Sequence, residues 1–248
     1  MAEYDAFADQ YDKTFELVPL RTYVEAHSIL KLLGEVTGEA WLDLACGTGA
    51  YTRELRRRGA GRALGIDLSP EMIRVAQLAE EERLTGAEYQ VADVGGLGGI
   101  GRFDGALGVY LLHYSTSMEH LEDMCVNISR SLRPGGRFVT YQLNPDLSLV
   151  PDYYLKYGAD FQIPVDGPLE DGQAFTFRIS VPGLQSPHFT VYYWSRTAIE
   201  QALTAAGFSR IRWVMPELSP EGHDHPDPQW WRDHLDRPFA VLLEAEKD

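Results

Sequence analysis

Two rhythms of apolar and polar residues take turns along this chain. Apolar-rich segments at 40–46, 62–68, 87–94, 103–112 and 137–143 predict strands, and 103–112 is almost continuously apolar. Between them, apolar residues recur every three or four positions at 49–58, from 70 to about 83 and at 118–132, which predicts helices. The second of these helices has a marked start. Ser69-Pro70-Glu71 supplies a capping hydroxyl, a proline at the first helical position and an acid in the first turn. Arg133-Pro134-Gly135-Gly136 turns the chain into the fifth strand. Two helical patterns precede the alternation. One carries Tyr4, Phe7, Ala8 and Tyr11 on one face, and the other spans 20–33 until Gly34 stops it.

After residue 143 the rhythm breaks. Residues 144–194 are rich in prolines and aromatics, with two extended segments at 175–181 and 189–194 around Pro182-Gly183. This stretch reads as a cap inserted after the fifth strand. The rhythm resumes with a helix at 197–206, a strand at 209–214, a polar loop at 216–237 and a strand at 239–246. Alternation of strand and helix implies an α/β fold, a parallel sheet with helices on both faces. The expected organisation is one domain: a helical lid at 1–34, a ligand-binding core at 35–143, the cap at 144–194 and a return to the sheet at 195–248.

Composition narrows the partners. With 37 acidic against 22 basic residues, the net charge of −15 argues against nucleic acid and anionic membrane surfaces. No run approaches the roughly 20 apolar residues that span a bilayer, and the acidic opening has no signal-peptide pattern. Cys46 and Cys125 are the only cysteines and suggest no disulfide framework. The expectation is a cytoplasmic protein, monomer or homodimer, with a small-molecule partner.

The chemistry concentrates in Trp41-Leu-Asp-Leu-Ala-Cys-Gly-Thr-Gly-Ala50. An apolar strand enters a glycine turn that opens a helix, so backbone N–H groups face a ligand at close range. Asp67 ends the next strand 20 residues past Gly47, where nucleotide-binding α/β folds place an acid on ribose hydroxyls. A P-loop is rejected, because no Lys follows the glycines. A dinucleotide site lacks its third glycine, Thr52 standing there, and Asp43 would repel a pyrophosphate. A carboxylate beside the turn suits an ammonium or sulfonium group, and S-adenosylmethionine carries both.

At these residues the chain resembles the class I S-adenosylmethionine-dependent methyltransferases. Leu42-Asp-Leu-Ala-Cys-Gly-Thr-Gly49 is similar to their motif I, and Gly65-Ile-Asp-Leu-Ser-Pro-Glu-Met72 to their ribose-binding segment. Ala92-Asp93-Val94 resembles the adenine-binding segment, the stretch from Phe103-Asp104 to His113 motif IV, and Leu132-Arg-Pro-Gly-Gly-Arg-Phe138 the turn into strand five. Ala45 stands where many members carry glycine. The resemblance implies a Rossmann-like, seven-stranded, mostly parallel sheet, methyl transfer from S-adenosylmethionine with S-adenosylhomocysteine as product, and no metal. Tyr4-Asp-x-x-Ala-x-x-Tyr11-Asp12, Leu20-Arg-x-Tyr-Val-Glu25 and Tyr110-Leu-Leu-His-Tyr114 further resemble the toxoflavin N-methyltransferase group. That likeness implies an azapteridine-like ring nitrogen as acceptor, in antibiotic biosynthesis.

The resemblance then distributes roles. Asp43, Ala45, Gly47, Thr48 and Gly49 would form the cofactor loop, although Asp43 also reads as a plain helix cap. Asp67 would take the ribose, Asp93 and Val94 the adenine edge, and Leu68 and Met72 the adenine faces unless they are core. Tyr11 either closes over the cofactor or packs a helix, and Tyr110, flanking His113, is a further cofactor-binding candidate. Arg21 pairs with the methionine carboxylate or lies on a helix surface. His113, at the carboxyl end of strand four, is the catalytic candidate, as base or as acceptor-positioning group, or else a structural histidine. Tyr114, Tyr141, Tyr153, Tyr192 and Trp194 are the remaining acceptor-binding candidates. His223 and His225, with His234, read as a solvated loop rather than a metal site.

Overall fold

The computed structural model describes residues 4–98, 100–163, 167–224, 227 and 229–248. Seven strands form the main sheet: β1 (Ala40–Leu44), β2 (Arg62–Asp67), β3 (Glu88–Val91), β4 (Phe103–Val109), β5 (Leu132–Leu143), β9 (Phe208–Val214) and β10 (Ala240–Lys247). Their order is β3-β2-β1-β4-β5-β10-β9. β1 to β5 pair in parallel, and β10 is antiparallel to both its neighbours. The strand order reverses between β1 and β4, which leaves a crevice at their carboxyl ends.

Strand alternation divides the core. Trp41, Leu107, Val139 and Leu242 pack on one face with Leu33 and Leu55. Leu33 comes from α3 (His27–Leu33) and Leu55 from α4 (Ala50–Arg57). Leu42, Ala106, Phe138 and Leu243 pack on the other face with Met124, Ile128 and Ala202. Those come from α6 (Met118–Ser131) and α7 (Arg196–Ala205). α5 (Pro70–Arg83) starts as its sequence predicts, the Ser69 hydroxyl accepting from the Met72 N–H at 3.1 Å.

The N-terminal segment lies across the carboxyl ends of the sheet. Its short helices α1 (Ala8–Tyr11) and α2 (Lys13–Leu17) lead into a π-helical turn, Arg21–Ala26, that continues as α3. Three acids fasten it down. Asp5 accepts from Ser69 Oγ at 2.5 Å, Asp9 pairs with Arg74 at 2.7 Å, and Asp12 accepts from the Thr48 hydroxyl.

Between β5 and α7 a second, antiparallel sheet forms from β6 (Ala159–Gln162), β7 (Ala174–Ile179) and β8 (His188–Tyr192). The two extended segments read around Pro182-Gly183 are β7 and β8. β6 escapes the pattern because four residues are too few to show a period. Elsewhere the ends move. β1 and β4 stop early because Ala45 and Tyr110 take left-handed φ of +57° and +58°. β5 starts early because Leu132 already pairs with Phe103 before an irregularity in the register. The polar loop 216–237 contains a 3-10 turn at Pro220–Asp224 and α8 (Arg232–Asp236).

Candidate active site

The glycine turn is built from its neighbours outward. Gly47 takes φ +54°, and its N–H donates to Asp67 Oδ2 at 2.8 Å. The other oxygen of Asp67 accepts from the Ser69 N–H, also at 2.8 Å. One carboxylate thus ties the loop after β1 to the loop after β2. Burial raises the Asp67 pKa above the ordinary carboxylate range, against the lowering effect of those N–H groups. Gly49 takes φ +78°, and a Cβ there would sit 2.5 Å from the Tyr89 ring. Only glycine fits both demands.

Asp43 shares the Trp41 face of β1 and accepts from Thr52 Oγ1 of α4 at 2.6 Å. It is buried, and burial pushes its pKa up to about 7. Asp43, Thr48 and Gly49 support the loop from behind. The wall of the crevice itself is Ala45, Gly47, Asp67, Leu68, Ser69, Met72, Asp93 and Val94. Leu68 is 60% exposed while Met72 is buried. Asp93 accepts from the Gly95 N–H at 2.9 Å, which fixes the turn after β3. The cavity holds about 470 Å³, and Tyr4, Tyr11, Tyr110, Tyr114 and Tyr192 complete its far side.

Behind those tyrosines lies a second cavity of about 80 Å³. Tyr4, Tyr11, Tyr110 and Tyr114 border both spaces. The Tyr4 and Tyr114 hydroxyls are 2.5 Å apart, and the Tyr4 ring stacks on Phe189 at 3.9 Å. Phe161, Phe177, Ile179, Val191 and Phe239 give the inner pocket its apolar wall. Burial raises the pKa of Tyr4, Tyr11 and Tyr110, so these remain phenols at neutral pH.

The inner pocket contains one ion pair, Arg21 with Glu25, at 3.2 Å. Glu25 is fully buried and also accepts from Tyr51 at 2.9 Å and Tyr110 at 2.7 Å. Arg21 donates further to the Tyr11 hydroxyl at 3.3 Å and lies over the Phe15 ring at 3.6 Å. Arg21 therefore sits in the inner pocket rather than on the helix surface, and its partner is Glu25. The segment Leu20–Glu25 is legible in the sequence, but the role of Glu25 is not. The available signal was an i,i+4 Arg–Glu pair set among the apolar residues Leu20, Val24 and Ile29, where a solvated pair has no place.

His113 follows β4 on a 3-10 turn, Leu112–Tyr114, and lines the inner pocket. Burial lowers its pKa to about 3, so the ring is neutral at physiological pH. Tyr114 packs against it at 4.6 Å and Tyr110 at 6.1 Å. Tyr110 has a left-handed backbone, like Ala45 on the neighbouring strand, and both line the crevice. Such strain costs on the order of 1–3 kcal/mol and gathers where the chain must present groups to a ligand.

Three acceptor-binding candidates lie outside the walls of both cavities. Tyr141 is buried beneath Tyr110, at 5.5 Å, because it points to the Trp41 face of the sheet. Tyr153 turns away to donate to the Asp233 carbonyl at 3.0 Å. Trp194 fills the core near α7, its indole N–H donating to the Ser115 carbonyl at 3.3 Å. His225 lies outside the described residues. Among the described residues no group of three or more His, Cys, Asp or Glu side chains is placed to hold a metal, and no helix is long and apolar enough to cross a membrane.

Residues 42–136 match the family model of a methyltransferase domain. A demethylmenaquinone methyltransferase of Tropheryma whipplei is 31% identical over 163 residues, which cover 62% of this chain and 63% of that protein. A ubiquinone biosynthesis O-methyltransferase of Xanthomonas oryzae is 32% identical over 115 residues, 44% of this chain and 45% of that protein. The chain thus spans less than two thirds of the length of these curated relatives. A crystal structure of an S-adenosylmethionine dependent methyltransferase from Mesorhizobium loti superposes with a TM-score of 0.67 at 25% identity, over 90% of this chain and 97% of that one. Motif order, strand order and residue matches agree: residues 42–136 match a methyltransferase domain, and the chain as a whole is similar to S-adenosylmethionine-dependent methyltransferases.

Proposed function

We propose that this protein transfers the methyl group of S-adenosylmethionine to a small, neutral acceptor held in the inner pocket. The observation that carries this reading is the pair of adjoining cavities with four shared tyrosines. The outer crevice, about 470 Å³, falls within the usual range for small-molecule sites of about 300–1,000 Å³. Its donor set fits the cofactor: Asp67 for the ribose, Asp93 and Val94 beside the adenine, Leu68 and Met72 on the ring faces, and the Ala45–Gly47 backbone along the amino-acid part. When bound, S-adenosylmethionine supplies an activated methyl on a sulfonium. The tyrosines exclude water at the boundary and orient the acceptor, so that attack is in line.

The acceptor's chemistry follows from the pocket. Arg21 and Glu25 neutralise one another, which disfavours a charged acceptor. His113, with its pKa near 3, is a weak base and a good hydrogen-bond acceptor. It therefore orients a nucleophile better than it deprotonates one. A ring nitrogen with its own lone pair needs no deprotonation before attack, whereas a phenol, of pKa about 10, does. Nitrogen is favoured, and an azapteridine-like heterocycle of an antibiotic pathway is the finest form of the proposal. O-methylation of a phenol is the second reading, favoured by the likeness to ubiquinone biosynthesis O-methyltransferases. The inner pocket, about 80 Å³, is smaller than the roughly 150 Å³ that takes a benzene. A ring acceptor therefore enters with movement of the lid or the cap.

The test is calorimetric titration with S-adenosylmethionine and S-adenosylhomocysteine, then turnover against a panel of heteroaromatic amines and phenols. Micromolar binding with turnover supports the proposal, and the panel separates nitrogen from oxygen. Binding without turnover across the panel would instead indicate a non-catalytic binder. His113→Ala should lower turnover about tenfold while changing cofactor affinity less than twofold. An unchanged rate at saturating acceptor removes His113 from the site.

A further inference from the structure

His113 lines, besides the acceptor pocket, a third, very small cavity of about 10 Å³. His113, Gln142, Tyr192 and Trp194 are among its walls. Its volume is that of a single water position. Two of its lining residues carry buried polar atoms with no partner: Nδ1 of His113, and both Oε1 and Nε2 of Gln142. Gln142 is 1% exposed. It alternates with Tyr141 along β5 and so faces the α6–α7 side of the sheet. Buried polar groups without partners are costly and rare, and two at one cavity call for a joint explanation.

We propose that Gln142 is a positioning residue for His113: through one water in the small cavity, its amide oxygen takes up the hydrogen bond of Nδ1–H and so turns the Nε2 lone pair toward the acceptor pocket. The tautomer of a histidine is set by the hydrogen bond its other nitrogen makes. With Nδ1 protonated, Nε2 receives a hydrogen bond from an N–H or O–H of the acceptor and orients its nucleophilic atom. With Nε2 protonated, the ring presents a donor that would bind the very lone pair needed for attack. This inference rests on reading the inner pocket as the acceptor site, but its test does not need turnover.

The experiment is nitrogen NMR of protein labelled with 15N-histidine, without cofactor or acceptor. His113→Ala identifies the His113 signals by their loss. The unaltered protein should show the Nδ1–H tautomer. Gln142→Leu, close in volume, should shift His113 toward Nε2–H, and Gln142→Glu, which keeps an acceptor, should retain Nδ1–H. With acceptor present, Gln142→Leu should lower kcat about tenfold, with cofactor affinity changed less than twofold. An Nε2–H ring in the unaltered protein, the same tautomer in Gln142→Leu, or an Nε2–H ring in Gln142→Glu would each overturn the proposal. If Gln142→Leu does not fold, the unaltered protein and Gln142→Glu still decide it. Failure of the methyl-transfer reading would show separately, as absence of cofactor binding with the tautomers as expected.

Discussion

The two main cavities border one another and are built in opposite ways. The outer crevice is made of strand ends: the turn after β1, the acid after β2, the turn after β3. Its polar groups are backbone N–H groups and carboxylates within a few residues of a glycine or a helix start. The inner pocket is made of side chains from the lid, β4, the cap and the chain's end, as Arg21, His113, Phe161 and Phe239 show. A backbone site tolerates substitution around it as long as its glycines and acids stay. A side-chain site depends on every packing partner. The crevice should therefore respond to mutation mainly in affinity, and the inner pocket mainly in stability.

The sharpest break of that contrast is Glu25→Ala. It leaves Arg21 buried without its charge partner, and removing one member of a buried pair costs about 3–5 kcal/mol. Denaturant unfolding should show a loss of that size, with partial recovery when Arg21→Met is added. A loss below about 1 kcal/mol would mean that the pair is solvated. On the other side of the comparison, Asp67→Ala should weaken S-adenosylmethionine binding about 10- to 150-fold, the worth of about 1.5–3 kcal/mol for charge-assisted hydrogen bonds. Calorimetry would check it. A change under threefold would place the ribose elsewhere.

Acid titration sharpens the contrast between the pocket and the fold. His113 and His234 are buried and neutral, each with a pKa lowered by burial to about 3. Between about pH 3 and 6.5 the unfolded chain binds protons at both positions that the folded chain does not. Their contribution is present above pH 6.5 and is lost as pH falls. Asp43 opposes them, because its folded pKa near 7 lies above the unfolded value of 3.8. Its contribution is present at low pH and is lost as pH rises through 7. Two histidines set against Asp43 alone leave a loss of about 1.4 kcal/mol per pH unit on acidification between about pH 4.5 and 6, and Asp67, whose pKa burial also raises, reduces that slope. In urea titrations at several pH values, His234→Phe should flatten this slope, and a slope that persists would point to other carboxylates.

The smallest effect is expected at Ala45. Glycine there relieves a left-handed alanine, a gain of about 1–2 kcal/mol, against about 0.5–1 kcal/mol of added unfolded-state entropy. Ala45→Gly should thus stabilise by under about 1.5 kcal/mol in thermal unfolding. A loss would show that the Ala45 methyl packs usefully against the crevice.

Most strands and helices of the core were legible because their periods are long and their starts are marked, as at Ser69-Pro70-Glu71. The crevice was legible for the same reason, since Gly47, Asp67 and Asp93 sit at strand ends and act through local backbone. The role of Glu25 was not, because a glutamate four residues after an arginine also describes an ordinary solvated helix. Tyr141, Tyr153 and Trp194 illustrate the converse. Each is aromatic and near the right strand end, but which face a side chain takes is set by register and packing. At Tyr110 the strand ends three residues earlier than its apolar pattern, through a left-handed backbone that no composition announces.

Local sequence set the strand–helix alternation, the glycine turn with its acids, and hence the likeness to methyltransferases and the position of the outer crevice, because those features are local and repeat in one dimension. Only the tertiary structure decided what stands behind the crevice. It brought Arg21 and Glu25 of the lid, His113 of the sheet and Phe161 and Phe177 of the cap into one small pocket. Such an arrangement comes from contacts across more than a hundred residues of chain, where no periodicity links one partner to the next.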